Sequence, residues 1–173
     1  MMFNVTSSLP TDFNNFLKNE ENKSDLNALI ATTATVRNWD KKAVITHGSC
    51  VVDCENGNSC DFYKSDSMAL DGADNRIICH LEEQMKLGIT KVMVRTVNSD
   101  VIILLLAFMP QFISINKNVD LFCDFGTGES RKMIIINPLF EYLGEEVCLG
   151  LLFFHSFTGC DSTTSFYGLS KTK

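Results

Sequence analysis

The stretch KVMVRTVNSDVIILLLAFMP, residues 91–110, decides the fold that we expect for this chain. Residues 91–97 are rich in β-branched side chains and predict a strand. Residues 100–109 then predict a buried helix, with either Asn98 or Ser99 as its N-cap. A wholly apolar run also fits a strand, because periodicity alone does not separate the two structures in a buried segment.

Apolar periodicity and turn residues predict the elements around this stretch. Pro110 is the expected end of the central helix, and Gly88 is the expected end of the helix before it. Because strands alternate with helices, the pattern favours an α/β fold with a mainly parallel sheet flanked by helices. The other expected helices cover residues 11–18, 24–36, 71–87, 138–143 and 145–157, and the other expected strands cover residues 43–46, 50–52, 119–125 and 132–136.

The expected organisation is a helical N-terminal segment followed by one core. We place the N-terminal segment at residues 1–42 and the core at residues 43–173. The total of 173 residues suits one domain, since domains usually have roughly 100–200 residues. The chain ends abruptly at Lys173, which predicts a fragment or a truncated product.

Composition and charge limit the compartment and the partners. Seven cysteines and no signal peptide predict free thiols inside the cell, in the nucleus or the cytoplasm. The longest apolar run, residues 101–109, is much shorter than the about 20 residues that span a bilayer, so we expect no membrane partner. The net charge is −6 and no basic run is present, so we expect DNA or RNA to bind only weakly.

Three acidic clusters beside apolar or helical segments form the candidate site. Asp71 and Asp74 share one face near the start of a helix. Asp100 follows a strand, and Asp161 follows an apolar helix. Each carboxylate also fits a simple capping role, because the helix dipole favours negative charge at an N-terminus. Convergence of the three clusters at one edge of the sheet would instead favour binding of hard divalent cations.

Five stretches carry a resemblance to a known family. They occur in the order Asp71-Gly72-Ala73-Asp74-Asn75-Arg76-Ile77, Thr96-Val97-Asn98-Ser99-Asp100-Val101, Phe125-Gly126-Thr127-Gly128, Leu143-Gly144 and Phe154-His155-Ser156-Phe157-Thr158-Gly159-Cys160-Asp161. Over residues 70–169, this order resembles the PIN-like flap-endonuclease/XPG-type nuclease superfamily, nearest to a group of transposon-associated animal proteins.

The resemblance implies a Rossmann-like, PIN-like sheet and a metal-dependent phosphodiester hydrolase. Two Mg²⁺ or Mn²⁺ ions would generate a hydroxide and stabilise displacement at phosphorus. By position, the catalytic metal ligands would be Asp74, Asp100 and Asp161, with Asp71 as a substitute ligand. The implied nucleic-acid contacts are Arg76 and Arg95, together with Gly168 and Lys171, which lie where an incomplete helix–two-turn–helix begins.

Two departures from the family pattern predict a degraded site. Gly72 stands where the pattern has a Glu, and Asn98 stands where it has an Asp. Loss of these charges weakens metal binding, so we expect a nuclease-derived domain with weak or no activity. The alternative is a non-catalytic nucleic-acid or protein-interaction module that keeps only the fold. A third alternative, an unrelated nucleotide-binding domain, lacks the expected glycine-rich fingerprint.

Three further features receive structural interpretations. Cys50, Cys54 and Cys60, with Cys79 and His80, have no standard zinc spacing and are interpreted as free thiols and a neighbouring histidine. The Gly126-Thr127-Gly128 stretch is interpreted as a turn between strands rather than a phosphate-binding loop. His155 is interpreted as a partly buried side chain with a partner rather than as a base or a metal ligand.

Overall fold

The chain divides into two compact units, Met1–Leu70 and Asp71–Lys173. The structure, a computed structural model, describes residues 8, 10–35, 43–47, 50–53, 58–60 and 73–158. The described strands between residues 44 and 60 belong to the first unit, whereas the sequence analysis grouped residues 43–173 as one core.

The first unit contains two helices and an antiparallel sheet. Its elements are α1 (Phe13–Phe16), α2 (Glu20–Thr35), β1 (Val44–His47), β2 (Cys50–Asp53) and β3 (Asn58–Cys60), and the strand order is β1-β2-β3. Asp12 caps α1, as predicted, by accepting a hydrogen bond from the Asn15 backbone N–H. Helix α2 begins earlier than the predicted cap at Ser24, because the Asn19 side chain accepts from the Glu21 N–H at 2.8 Å.

The second unit alternates helices and strands, so the coarse α/β prediction is confirmed. Its elements are α3 (Ala73–Lys86), β4 (Lys91–Thr96), α4 (Ser99–Ala107), α5 (Met109–Ile115), β5 (Asp120–Phe125), β6 (Lys132–Ile135), α6 (Ile136–Leu143) and α7 (Glu145–Thr158). The elements predicted between residues 73 and 158 are all present, with boundaries shifted by a few residues. A last helix predicted from Ser162 lies outside the described residues.

The sheet of this unit corrects the expectation of a mainly parallel arrangement. Its order is β4-β5-β6, with β4 and β5 parallel and β5 and β6 antiparallel. Parallel strands need a crossover of about a dozen residues or more, which residues 97–119 provide. Residues 126–131 are too few for a crossover, so β6 turns back as a hairpin partner of β5. Gly126 begins this turn with φ +89°, a conformation that favours glycine.

The apolar stretch that follows β4 is helical, but Pro110 does not end the helical region. Helix α4 ends at Ala107, and Pro110 lies in the first turn of α5. A proline is tolerated there because the first backbone N–H groups of a helix have no intrahelical acceptor. The proline therefore separates two successive helices and begins the second one.

The core of the second unit lies between the helices and one face of the sheet. Leu121 and Cys123 of β5 and Val94 of β4 project into it. The largest fully buried side chains are Met85, Val101, Leu105, Met109, Phe112, Leu121, Cys123, Ile136 and Cys148. Within the described ranges, the helices are too short or too polar to cross a membrane.

Candidate functional site

Asn98 joins two of the three predicted acidic clusters. Strand β4 ends at Thr96, and Asn98 caps α4 by accepting a hydrogen bond from the Asp100 backbone N–H at 3.0 Å. The same side chain donates from Nδ2 to Oδ2 of Asp74, in the first turn of α3, at 3.2 Å. The carboxyl end of β4 is therefore where the first and second clusters meet, as the sequence analysis required.

Asp100 makes its own side-chain contact with the C-terminal half of α7. Oδ1 of Asp100 lies 3.0 Å from Nε2 of His155, and the pair is ionic when the imidazole is protonated. His155 is buried, and its side chain links α7 to the first turn of α4. This position agrees with the interpretation of His155 as a partly buried side chain with a partner.

The described residues do not form the metal-binding group that the resemblance implies. Across residues 73–158 and the described parts of the first unit, no three His, Cys, Asp or Glu side chains lie together as a group that could hold a metal ion. Asp74 and Asp100 remain candidate ligands, while Asp71 and Asp161 lie outside the described residues.

Two of the four predicted nucleic-acid contacts lie within the described residues. Arg76 is half-buried in α3. Burial and the charge of Arg76 lower the pKa of His80 below its ordinary value. Arg95 is partly exposed on β4 and donates from Nη1 to the backbone carbonyl of Asp124 at 2.8 Å. Gly168 and Lys171 lie outside the described residues.

Asp124 is the buried carboxylate that the sequence analysis missed. It lies in β5 and its side chain is 3% exposed. Arg131 holds it with two hydrogen bonds, from Nε to Oδ1 at 2.8 Å and from Nη2 to Oδ2 at 2.6 Å. Nε of Arg95 lies 3.4 Å from Oδ2 of the same carboxylate. The two guanidinium groups therefore offset one buried negative charge at the end of the sheet.

The arginines also control the protonation of this carboxylate. The hydrogen bonds from Arg131 hold the pKa of Asp124 below its ordinary value, against the opposing effect of burial. In return, the pKa of Arg131 is raised further above its already high value. A signal for this pair was present in the sequence, because an Asp between Cys123 and Phe125 in a buried strand needs a partner, and the hairpin returns Arg131 to it.

The remaining candidate features have structural roles where they are described. Burial, followed by the nearby Glu82, raises the pKa of the Cys79 thiol, which disfavours the thiolate that zinc binding requires. Cys54 lies outside the described residues. Gly126 and Gly128 flank Thr127 in the hairpin connection, so the prediction of a turn is confirmed.

Comparison with protein families, with curated proteins and with solved structures finds no match for this chain.

Proposed function

We propose that the second unit is a nuclease-derived α/β domain in which metal-dependent phosphodiester hydrolysis is weak or lost. The observation that carries the proposal is the position of Asn98. Its amide lies where the family pattern has an acid, between Asp74 and the start of α4. The partial positive charge of its Nδ2 group lies at the carboxylate of Asp74, a position that a cation would otherwise favour.

The proposal assigns different roles to the candidate residues. Asp74 and Asp100 are the remaining ligands of the ancestral site. Arg95 is the remaining phosphate contact of the described residues, because it is partly exposed near the same end of the sheet. The charges lost at Gly72 and Asn98 account for the low activity, since a two-metal site requires several carboxylates.

A titration of Mn²⁺ by calorimetry tests the proposal, using the whole chain and three variants. Asn98→Asp adds one carboxylate and keeps a side chain that can cap α4. Asn116→Asp is the matched control, since Asn116 is half-buried and its side-chain hydrogen bonds are to backbone groups of Ile89 and Asn118. Asp100→Ala removes a remaining ligand.

We expect weak or no Mn²⁺ binding by the natural chain and binding at least about tenfold tighter by Asn98→Asp. Asn116→Asp should behave like the natural chain. Equal binding by all variants would contradict the proposed origin of the site. Efficient cleavage of a 5′-flap DNA by the natural chain, abolished in Asp100→Ala, would contradict the proposed loss of activity.

The second candidate function is a protein-interaction module without catalysis. A specific observation favours it: one face of the β4-β5-β6 sheet carries exposed apolar side chains. An exposed apolar surface of this kind marks an interaction site more often than a catalytic one.

A further inference from the structure

The sheet of the second unit has one covered face and one open face. In β5, Leu121 and Cys123 point to the helices and are fully buried. The alternate residues of the three strands point the other way, because successive side chains of a strand lie on opposite faces. We call this opposite surface the open face; its residues form a row of Lys91 and Asp120, a row of Met93, Phe122 and Ile135, and a row of Arg95, Asp124 and Met133.

The open face is apolar in its centre. Met93 is 60% exposed, Met133 is 54% exposed and Ile135 is 50% exposed, while Phe122 is half-buried between them. A parallel strand pair such as β4 and β5 is normally covered on both faces. Exposure of these side chains therefore indicates a surface that another polypeptide segment covers.

One end of the open face is positively charged. Arg95 and Arg131 lie at the carboxyl end of β4 and at the start of β6, and Asp124 offsets only one of their two charges. At least one guanidinium N–H group of each arginine takes no part in these contacts with Asp124. A carboxylate on a partner would therefore complement the positive charge of Arg95 and Arg131.

The size of the open face limits its occupant. Three strands about 4.8 Å apart, with four to six residues of about 3.3 Å each, give a surface of roughly 250 Å². A stable dimer usually buries about 800 Å² on each partner, so this face alone is too small to hold two copies together. One helix, about 10 Å across, matches the width of the face.

We infer that the open face binds a short amphipathic helix of a partner protein, with acidic residues at the end that meets Arg95 and Arg131. The apolar side of the helix packs on Met93, Met133 and Ile135, and the flexible methionines adapt to its shape. This inference does not depend on the proposed nuclease ancestry. Single-stranded nucleic acid fits less well, because it stacks its bases on exposed aromatic rings, and Phe122, the ring that the described strands place on this face, is half-buried.

A selection from a display library of helical peptides of about 12 residues, performed on the whole chain, tests the inference. We expect enriched peptides to have apolar residues at i, i+3 and i+4 and Asp or Glu at one end. Their binding should weaken at least about tenfold in Met133→Lys and in Ile135→Lys. Both positions are exposed, so these changes should not impair folding.

The control variant is Tyr142→Lys, since Tyr142 is 87% exposed on α6 and is not one of the open-face residues. It should leave peptide binding unchanged. Replacing the acidic residues of a selected peptide by their amides tests the charge, and we expect binding to weaken several-fold at low salt and less at high salt. Because this experiment changes the peptide and not the protein, Arg95 and Arg131 stay in place and the buried Asp124 keeps its partners.

Three results would overturn the inference. The first is no enrichment, or peptides whose binding is unaffected by Met133→Lys. The second is a homodimer, seen by light scattering, that Met133→Lys dissociates. The third is binding of oligo(dT) that the same variant abolishes. Asn98→Asp should leave peptide binding unchanged, so failure of this inference is distinguishable from failure of the proposed function.

Discussion

Asn98 donates its amide hydrogen to the carboxylate of Asp74 at 3.2 Å, across 24 positions of sequence. The same side chain accepts a hydrogen bond from the Asp100 N–H in the first turn of α4, so one residue both caps a helix and joins it to α3. An aspartate could perform the first role but would repel Asp74 in the second. The amide therefore favours structural stability at a position where an aspartate would add a second negative charge.

Replacement of Asn98 should measure these two roles separately. We expect Asn98→Ala to lower the free energy of unfolding by about 1–3 kcal/mol, since it loses both the cap and the hydrogen bond. Asn98→Ser keeps a side chain that can cap α4, so its free energy of unfolding should fall by less. Urea unfolding provides the values, and a double-mutant cycle with Asp74→Ala should give a coupling of at least about 0.5 kcal/mol. A coupling of zero would show that the contact with Asp74 contributes nothing.

The pair formed by Asp124 and Arg131 should appear in the acid dependence of stability. The folded-state pKa of Asp124 is lowered, so its contribution is present above the unfolded pKa of about 3.9 and is lost as pH falls through the folded value. We expect the difference in unfolding free energy between the natural chain and Asp124→Asn to shrink from pH 5 to pH 2. In an Arg131→Gln background, the difference in unfolding free energy caused by Asp124→Asn should change less between pH 5 and pH 2. A difference that stays constant over this range would contradict the assignment.

His80 should respond to removal of Arg76. Burial and the Arg76 charge both lower the pKa of His80, so protonation favours the unfolded state and stability falls as pH drops below about 6.5. We expect Arg76→Gln to raise the pKa of His80 only partly, because burial is the larger cause. An NMR titration measures the shift. Lys86→Gln is the control on the same helix, since Lys86 pairs with Glu83. An equal shift of the His80 pKa in this variant would contradict a specific effect of Arg76.

Gly126 should tolerate a side chain less well than Gly88. Both have positive φ, +89° and +86°, so alanine is strained at either position. A Cβ atom at Gly126 would lie 2.8 Å from the backbone oxygen of Ser130, whereas a Cβ atom at Gly88 would meet nothing within 4 Å. We expect Gly88→Ala to cost about 1 kcal/mol and Gly126→Ala clearly more, measured by thermal or urea unfolding. Equal costs would mean that the turn moves to make room.

Sequence patterns predicted most of the described helices and strands, because the residues that begin and end these elements act on their near neighbours in the chain. The cap at Asn98, the β-branched run of β4 and the stop signal at Gly144 each act within a few residues. The hairpin-like turn between β5 and β6 was predicted from Gly126, Thr127 and Gly128, and it makes β6 antiparallel to β5. The wrong expectation was that the sheet as a whole is mainly parallel. The same signals placed Asp74 and Asp100 in the first turns of their helices.

Side-chain partners across the sheet were harder to predict than elements. The contact between Asp100 and His155 joins positions that no local pattern connects. Arg95 was expected to contact phosphate, but its interaction with Asp124 depends on strand order and register. The convergence of Asp74 with Asn98 was expected only from the resemblance and from the rule that sites form at the carboxyl ends of strands.

The short connection before β6 also sets an order of assembly. The β5–β6 hairpin closes a loop of residues 126–131, whereas the β4–β5 pair closes the much longer segment of residues 97–119. The entropy lost on closure grows with loop length, so the hairpin forms at the lower entropic cost. We therefore expect the parallel β4–β5 pair to form more slowly than the hairpin, because its contacts are more distant in sequence.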